Sequence, residues 1–167
     1  KTTEAPAPMA PPVAEPTPVT KTPPVTTRLT VTPNPANVKP ALREEVERLF
    51  AKLDQAGTST ARGRNISAIV RLAKQADEEE AKYIFDTACA VALNPQGRHN
   101  QRWMSCYVLS DIGGEKAIPV LTDILKNEPD NEIRSVAACA LGRFRSSEAK
   151  QVLEQVARSE ADPRVLT

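Results

Sequence analysis

Along the first 40 residues the apolar positions are broken up by prolines. Each proline removes a backbone donor and holds its predecessor extended, so this stretch cannot be helical. Within it, "TRLTVTP" (27–33) alternates Leu29 and Val31 with threonines and predicts a short docked strand. After Pro40, which suits the first turn of a helix, Leu42, Val46, Leu49, Phe50 and Leu53 recur along one helical face. Glu44 is spaced to pair with Arg48 on the other side. Gly57 and the loop "GTSTARGR" (57–64) then end this helix. A second helix is predicted around 65–75 through Ile66, Ile69, Val70 and Ala73. A third, around 78–93, presents Ala81, Ile84, Phe85, Ala88, Cys89 and Ala92. Tyr83, Val91 and Leu93 widen that surface, which implies enclosure on more than one side.

Beyond residue 100 the pattern repeats itself. Residues 101–130 set over 133–162, a shift of 32 without a gap, give the identities Arg102/Arg134, Leu109/Leu141, Ala117/Ala149, Val120/Val152, Leu121/Leu153, Glu128/Glu160 and Asp130/Asp162. Met104 over Val136, Ile112 over Phe144 and Ile124 over Val156 keep the apolar character. Each copy holds two amphipathic stretches parted by a short break, "GGEKA" in one and "RSSEA" in the other, which is a helical hairpin in tandem. Ile133, Val136, Ala137, Ala140, Leu141 and Phe144 form the inward stripe of the second copy. Its alanines let neighbouring hairpins approach closely.

The segments "EIRSVAACALGRF" and "LSDIGGEKAIPVLTDIL" resemble the two halves of a HEAT repeat, most of all the short HEAT-like variety of phycobilisome lyases. The resemblance spans 101–162 and loosens over 64–94, where the shift grows to 36. The first helix is then a cap or a degenerate half repeat. What the resemblance implies is an all-α fold: a short right-handed α-solenoid of HEAT-like hairpins (41–167) preceded by an extended proline-rich arm (1–40), with the second helices lining an inner surface. It also implies that Arg102 and Arg134, beside Asp130 and Asp162, link adjacent repeats. "DPRVLT" at the end resembles the opening of a further repeat, so either the chain continues or another chain covers that side.

Composition sharpens the division near residue 40. Eleven of the fifteen prolines precede Ala41 and all six glycines follow it. Residues 1–40 hold four Lys/Arg against two Glu, and the remainder 18 against 19 Asp/Glu, so neither part is a polyanion binder by bulk charge and no nucleic-acid partner is expected. No run approaches the roughly 20 apolar residues that span a bilayer. Membrane association would have to come through a segment preceding Lys1 or through a partner. The arm resembles linkers of bacterial envelope proteins, which points to the periplasm or cell envelope.

Little in the sequence suggests catalysis. Cys89, Cys106 and Cys139 have no metal-ligand spacing and read as buried free thiols. The single histidine, His99, falls in the polar loop "NPQGRHNQ" and is not expected to be catalytic. Asp77 to Glu80 read as a charged helix start, and Gly113–Gly114 as a turn. No catalytic residue, metal or cofactor is assigned. Trp103 and Tyr107, one turn apart, lie outside the apolar stripe of their helix, where the next copy has Ser135 and Cys139. They are covered by the loop 94–100 or the arm, or they meet a partner. The implied inner surface presents Thr122, Asp123, Lys126, Gln151, Glu154, Gln155 and Arg158, a mixed polar face suited to protein.

The expected partner-binding residues are therefore Trp103, Tyr107, Leu29, Val31, Asp123, Lys126, Gln151, Glu154 and Arg158. The expected role is a non-catalytic interaction or scaffold subunit of a larger protein assembly. The alternative, carried by the resemblance, is a bilin lyase or isomerase-like subunit in chromophore attachment. HEAT-like DNA glycosylases are a more distant comparison, because their inner surfaces are basic.

Overall fold

The computed structural model describes residues 28–55, 57–159 and 165. Among these, seven α-helices follow one another: α1 (Pro40–Asp54), α2 (Ser59–Gln75), α3 (Glu78–Leu93), α4 (His99–Ile112), α5 (Ile118–Asn127), α6 (Asn131–Gly142) and α7 (Ser147–Ala157). A 3-10 turn, Gly114–Ala117, joins α4 to α5.

Most of the starts are written in local chemistry. The Asp77 carboxylate accepts the Glu80 N–H at 2.9 Å while the Glu80 carboxylate reaches back to the Asp77 N–H, a reciprocal cap at the head of α3. Asp130 accepts from the N–H groups of Glu132 and Ile133 to open α6, and Ser146 accepts from Ala149 to open α7. Pro40 stands in the first turn of α1.

Two local expectations are corrected. The stretch 57–64 is not a loop throughout: the Thr58 hydroxyl accepts the Ala61 N–H at 3.1 Å, so α2 begins at Ser59 and runs through Gly63. An exposed glycine inside a helix costs only about 1 kcal/mol relative to alanine, less than a capped start and a packed Ala61 return. Arg48 pairs with Glu45, at 2.5–2.8 Å, rather than with Glu44.

The helices stack in two rows. The first helices α2, α4 and α6 lie side by side, as do the second helices α3, α5 and α7, and α3 and α5 each also pack on the first helix of the next hairpin. The shift of 32 thus sets α4 beside α6 and α5 beside α7, which makes the molecule a short helical solenoid, while α1 packs across α2 and α4. One core runs through the stack. Met104, Val108, Leu109, Leu121, Ile124, Ile133, Ala137, Ala140 and Leu141 are wholly buried within it. Tyr83, Ile84, Cys89 and Leu93 bury α3 as its wide apolar surface predicts.

Candidate surfaces for partners

The segment 28–39 forms no strand; it lies against the helices through side chains. Thr27, the first residue of the expected strand, is outside the described residues. At its C-terminal end Val38 is buried, its N–H donates to the Pro35 carbonyl at 3.1 Å, and Lys39 Nζ donates to Glu80 Oε1 at 2.8 Å, at the head of α3. At the other end the Arg28 guanidinium donates to Glu128, just past α5. Glu128 also accepts from Arg102, whose Nε faces the Ala92 carbonyl, near the C-terminal end of α3, at 3.4 Å. The segment therefore runs from one end of α3 to the other. Twelve residues at about 3.3 Å each exceed the roughly 24 Å length of a sixteen-residue helix, so the span needs only a partly extended chain.

The Arg28–Glu128–Arg102 cluster is the most heavily buried set of charges in the described chain. Side-chain exposure is 1% for Glu128, 7% for Arg102 and 22% for Arg28. Burial works to raise the Glu128 pKa, but hydrogen bonds from Arg102 and Arg28 outweigh it and hold the carboxyl below its ordinary value. Asp123 lies next to this cluster, buried, with its Oδ2 3.8 Å from Arg28 Nε and its Oδ1 accepting from Asn127 at 2.8 Å. Arg134 donates to the carbonyls of Glu128 and Pro129 at 3.1 and 3.0 Å, so both repeat-position arginines tie down the turn between α5 and α6. Their anchor at this turn is Glu128, while Asp130 caps α6; Asp162 and Glu160 are outside the described residues.

The expected partner residues fall in three places. Lys126, Gln151, Glu154 and Arg158 are exposed, with Lys126 Nζ 3.2 Å from Gln155 Oε1. Asp123 is instead beneath the arm. Leu29 is 43% exposed, whereas Val31 is half-buried on the core. Trp103 and Tyr107 are half-buried and meet edge to face, 5.0 Å between ring centres, and the Arg62 guanidinium of α2 sits 5.4 Å from the Trp103 ring centre. Beside them an open groove of about 230 Å³ runs between α4 and α6, lined also by Glu132, Ser135, Val136 and Cys139.

His99 is the first residue of α4, not part of a loop, with Nε2 3.4 Å from Asp130 and 3.5 Å from Glu132. Among the described residues no three His, Cys, Asp or Glu side chains are grouped to hold a metal. The cysteines divide: Cys89 and Cys106 are buried, and burial pushes both thiols up to about 12, whereas Cys139 is exposed. Cys139 occupies the place of Tyr107 one repeat on, and that place faces outward. Native protein should therefore give up one thiol to a maleimide at neutral pH and three in denaturant. Fast labelling of two or more thiols in the native state would contradict this burial.

Sequence reasoning missed Arg28 and Glu128 as a pair. The recurrence of Glu128 as Glu160 was the available signal for one of them.

Two rows of packed helical hairpins define an α-solenoid. Residues 98–167, the part of the chain that holds α4 to α7, match the family of HEAT repeats. No curated protein and no solved structure matches it. HEAT repeats generally mediate protein–protein interaction. No helix among the described residues is long and apolar enough to cross a membrane.

Proposed function

We propose that this chain is a non-catalytic scaffold subunit, in which a proline-rich arm (1–40) and a HEAT-like domain (41–167) together hold a protein partner. The observation that carries this reading is the Trp103–Tyr107 pair beside an open groove, at positions where the neighbouring repeat carries Ser135 and Cys139. Aromatic side chains of this kind supply contact area at low entropic cost and are enriched where proteins meet. The exposed row Lys126, Gln151, Glu154 and Arg158 mixes both charges, which fits a protein surface better than a phosphate backbone. The arm's likeness to envelope linkers suits an extracytoplasmic setting.

The test is a Trp103→Ser/Tyr107→Ser double variant. Arg62 loses its ring partner, worth about 1 kcal/mol or less at a half-exposed site, so the helical spectrum should persist. Native mass spectrometry of the complex isolated from source should show the partner lost from the variant. A variant that folds and still assembles in full removes the groove from the interface, and one that fails to fold makes the pair structural.

A further inference from the structure

The contacts of residues 28–33 show what the surface under them accepts. With Arg28 in place, the carboxylates of Asp123 and Glu128 face the guanidinium groups of Arg28 and Arg102. With Arg28 in place these carboxylates are 8% and 1% exposed; with it withdrawn, Glu128 keeps Arg102, Asp123 keeps Asn127, and the pair is left with one guanidinium between them. Two carboxylates with one guanidinium leave an excess of negative charge in a partly enclosed corner, which attracts a second cation. A guanidinium suits it better than an ammonium, because its planar fork reaches Glu128 with Nη2 while presenting Nε towards Asp123.

Arg28 fills this corner imperfectly. Its Nε and Asp123 Oδ2 are both buried, both without a hydrogen-bond partner among the described residues, and 3.8 Å from each other. One charge-assisted hydrogen bond is thus left unmade. The arm's other anchor, buried Val38, lies ten residues further on. Its remaining hold is slight: Leu29 is exposed, Val31 is half-buried, and among the described residues no backbone hydrogen bond ties 28–33 to the helices.

We propose that Asp123 and Glu128 form a guanidinium socket on a peptide-binding surface, filled in cis by Arg28 and open in trans to an extended partner segment with an arginine three residues before an apolar side chain. The spacing is that of Arg28 and Val31. This deepens the scaffold reading and rests on it, and it gives the arm a second role as an internal competitor. A segment whose arginine makes the Nε–Asp123 hydrogen bond displaces the arm, which leaves that bond unmade.

The probe is an N-acetylated peptide of residues 28–34, RLTVTPN, carrying a C-terminal fluorophore. Anisotropy is read against the full wild-type chain and the full-chain Arg28→Ala variant. A short tether presents the arm at an effective concentration on the order of millimolar, so the peptide should bind the variant at least about tenfold more tightly than wild type. Replacing the peptide's arginine with alanine should abolish binding, and replacing it with lysine should weaken it about fivefold or more. Asp123→Asn added to Arg28→Ala should weaken it about tenfold, one charge-assisted hydrogen bond, with the circular dichroism spectrum unchanged.

Equal binding to wild type and Arg28→Ala, indifference to the peptide's arginine, or no binding to Arg28→Ala at millimolar peptide overturns the proposal. The probe is the chain's own segment, so such a failure leaves the scaffold reading to the groove beside Trp103. Failure of the Trp103/Tyr107 experiment leaves the socket standing.

Discussion

Glu128→Leu should lower the stability of the folded chain by about 3–5 kcal/mol, the usual cost of stranding a buried charge. Arg102 is the reason. Its side chain is 7% exposed, and without Glu128 its guanidinium keeps, among the described residues, only the long contact to the Ala92 carbonyl. Arg28 can turn to solvent because it sits at the edge. Denaturant unfolding followed by circular dichroism reads the change as a lower midpoint. The double variant Arg102→Met/Glu128→Leu should recover more than half of the loss, since an apolar pair of similar volume strands nothing. If the double variant is as unstable as Glu128→Leu alone, the charge argument is wrong and packing dominates.

The same carboxylate sets a direction with pH. Its native pKa lies below the ordinary 4.5, so the stabilisation is complete above pH 4.5 and is lost as the pH falls through the native value. Between about pH 5 and pH 3 the wild-type midpoint should fall more steeply than that of Glu128→Gln, which has no proton to take up there. Parallel slopes would mean that Glu128 is not depressed.

The repeat was legible because it depends on spacing alone. Arg102, Leu109, Ala117 and Leu121 recur 32 residues on, and the helices that carry them lie side by side. The charged helix start at Asp77 was legible for a similar reason, donor and acceptor being three residues apart; the caps at Asp130 and Ser146 follow the same local rule and were not read. What the periodicity could not disclose is where a non-repeating segment settles. Arg28 and Glu128 are 100 positions apart, and no local rule joins them. Asp123 reads as part of an open polar face if only the helices are considered, yet the arm covers it. The exposure of Cys139 was available from its alignment with Tyr107, but the general preference of cysteine for interiors pointed the other way. Trp103 was set correctly outside the stripe, while Arg62, its partner, stood in a stretch read as loop.

Gly113→Ala should cost about 3 kcal/mol and lower the melting temperature by roughly 10 °C, although the glycine's own backbone conformation is an ordinary one (φ −86°, ψ −21°). The cause is space. A Cβ there would stand 2.6 Å from Phe85 Cε2, 2.7 Å from Ala117 Cβ and 2.8 Å from the Leu109 carbonyl oxygen, all closer than real contacts allow. Phe85 belongs to α3, so the methyl group would push α3 off the end of α4, and the Leu109 oxygen is backbone that cannot rotate away. Two neighbouring glycines separate this cause from others. Gly114→Ala meets nothing within 4 Å but sits at φ +51°, so its cost should be the left-handed penalty of about 1–2 kcal/mol. Gly142→Ala, at the end of α6 in open space, should be neutral or stabilising by up to about 1 kcal/mol. The order Gly113, Gly114, Gly142 in thermal melts is the result that the packing requires. A Gly113→Ala chain melting within a degree of wild type would mean that α3 and α4 do not approach as closely as the stacked hairpins demand.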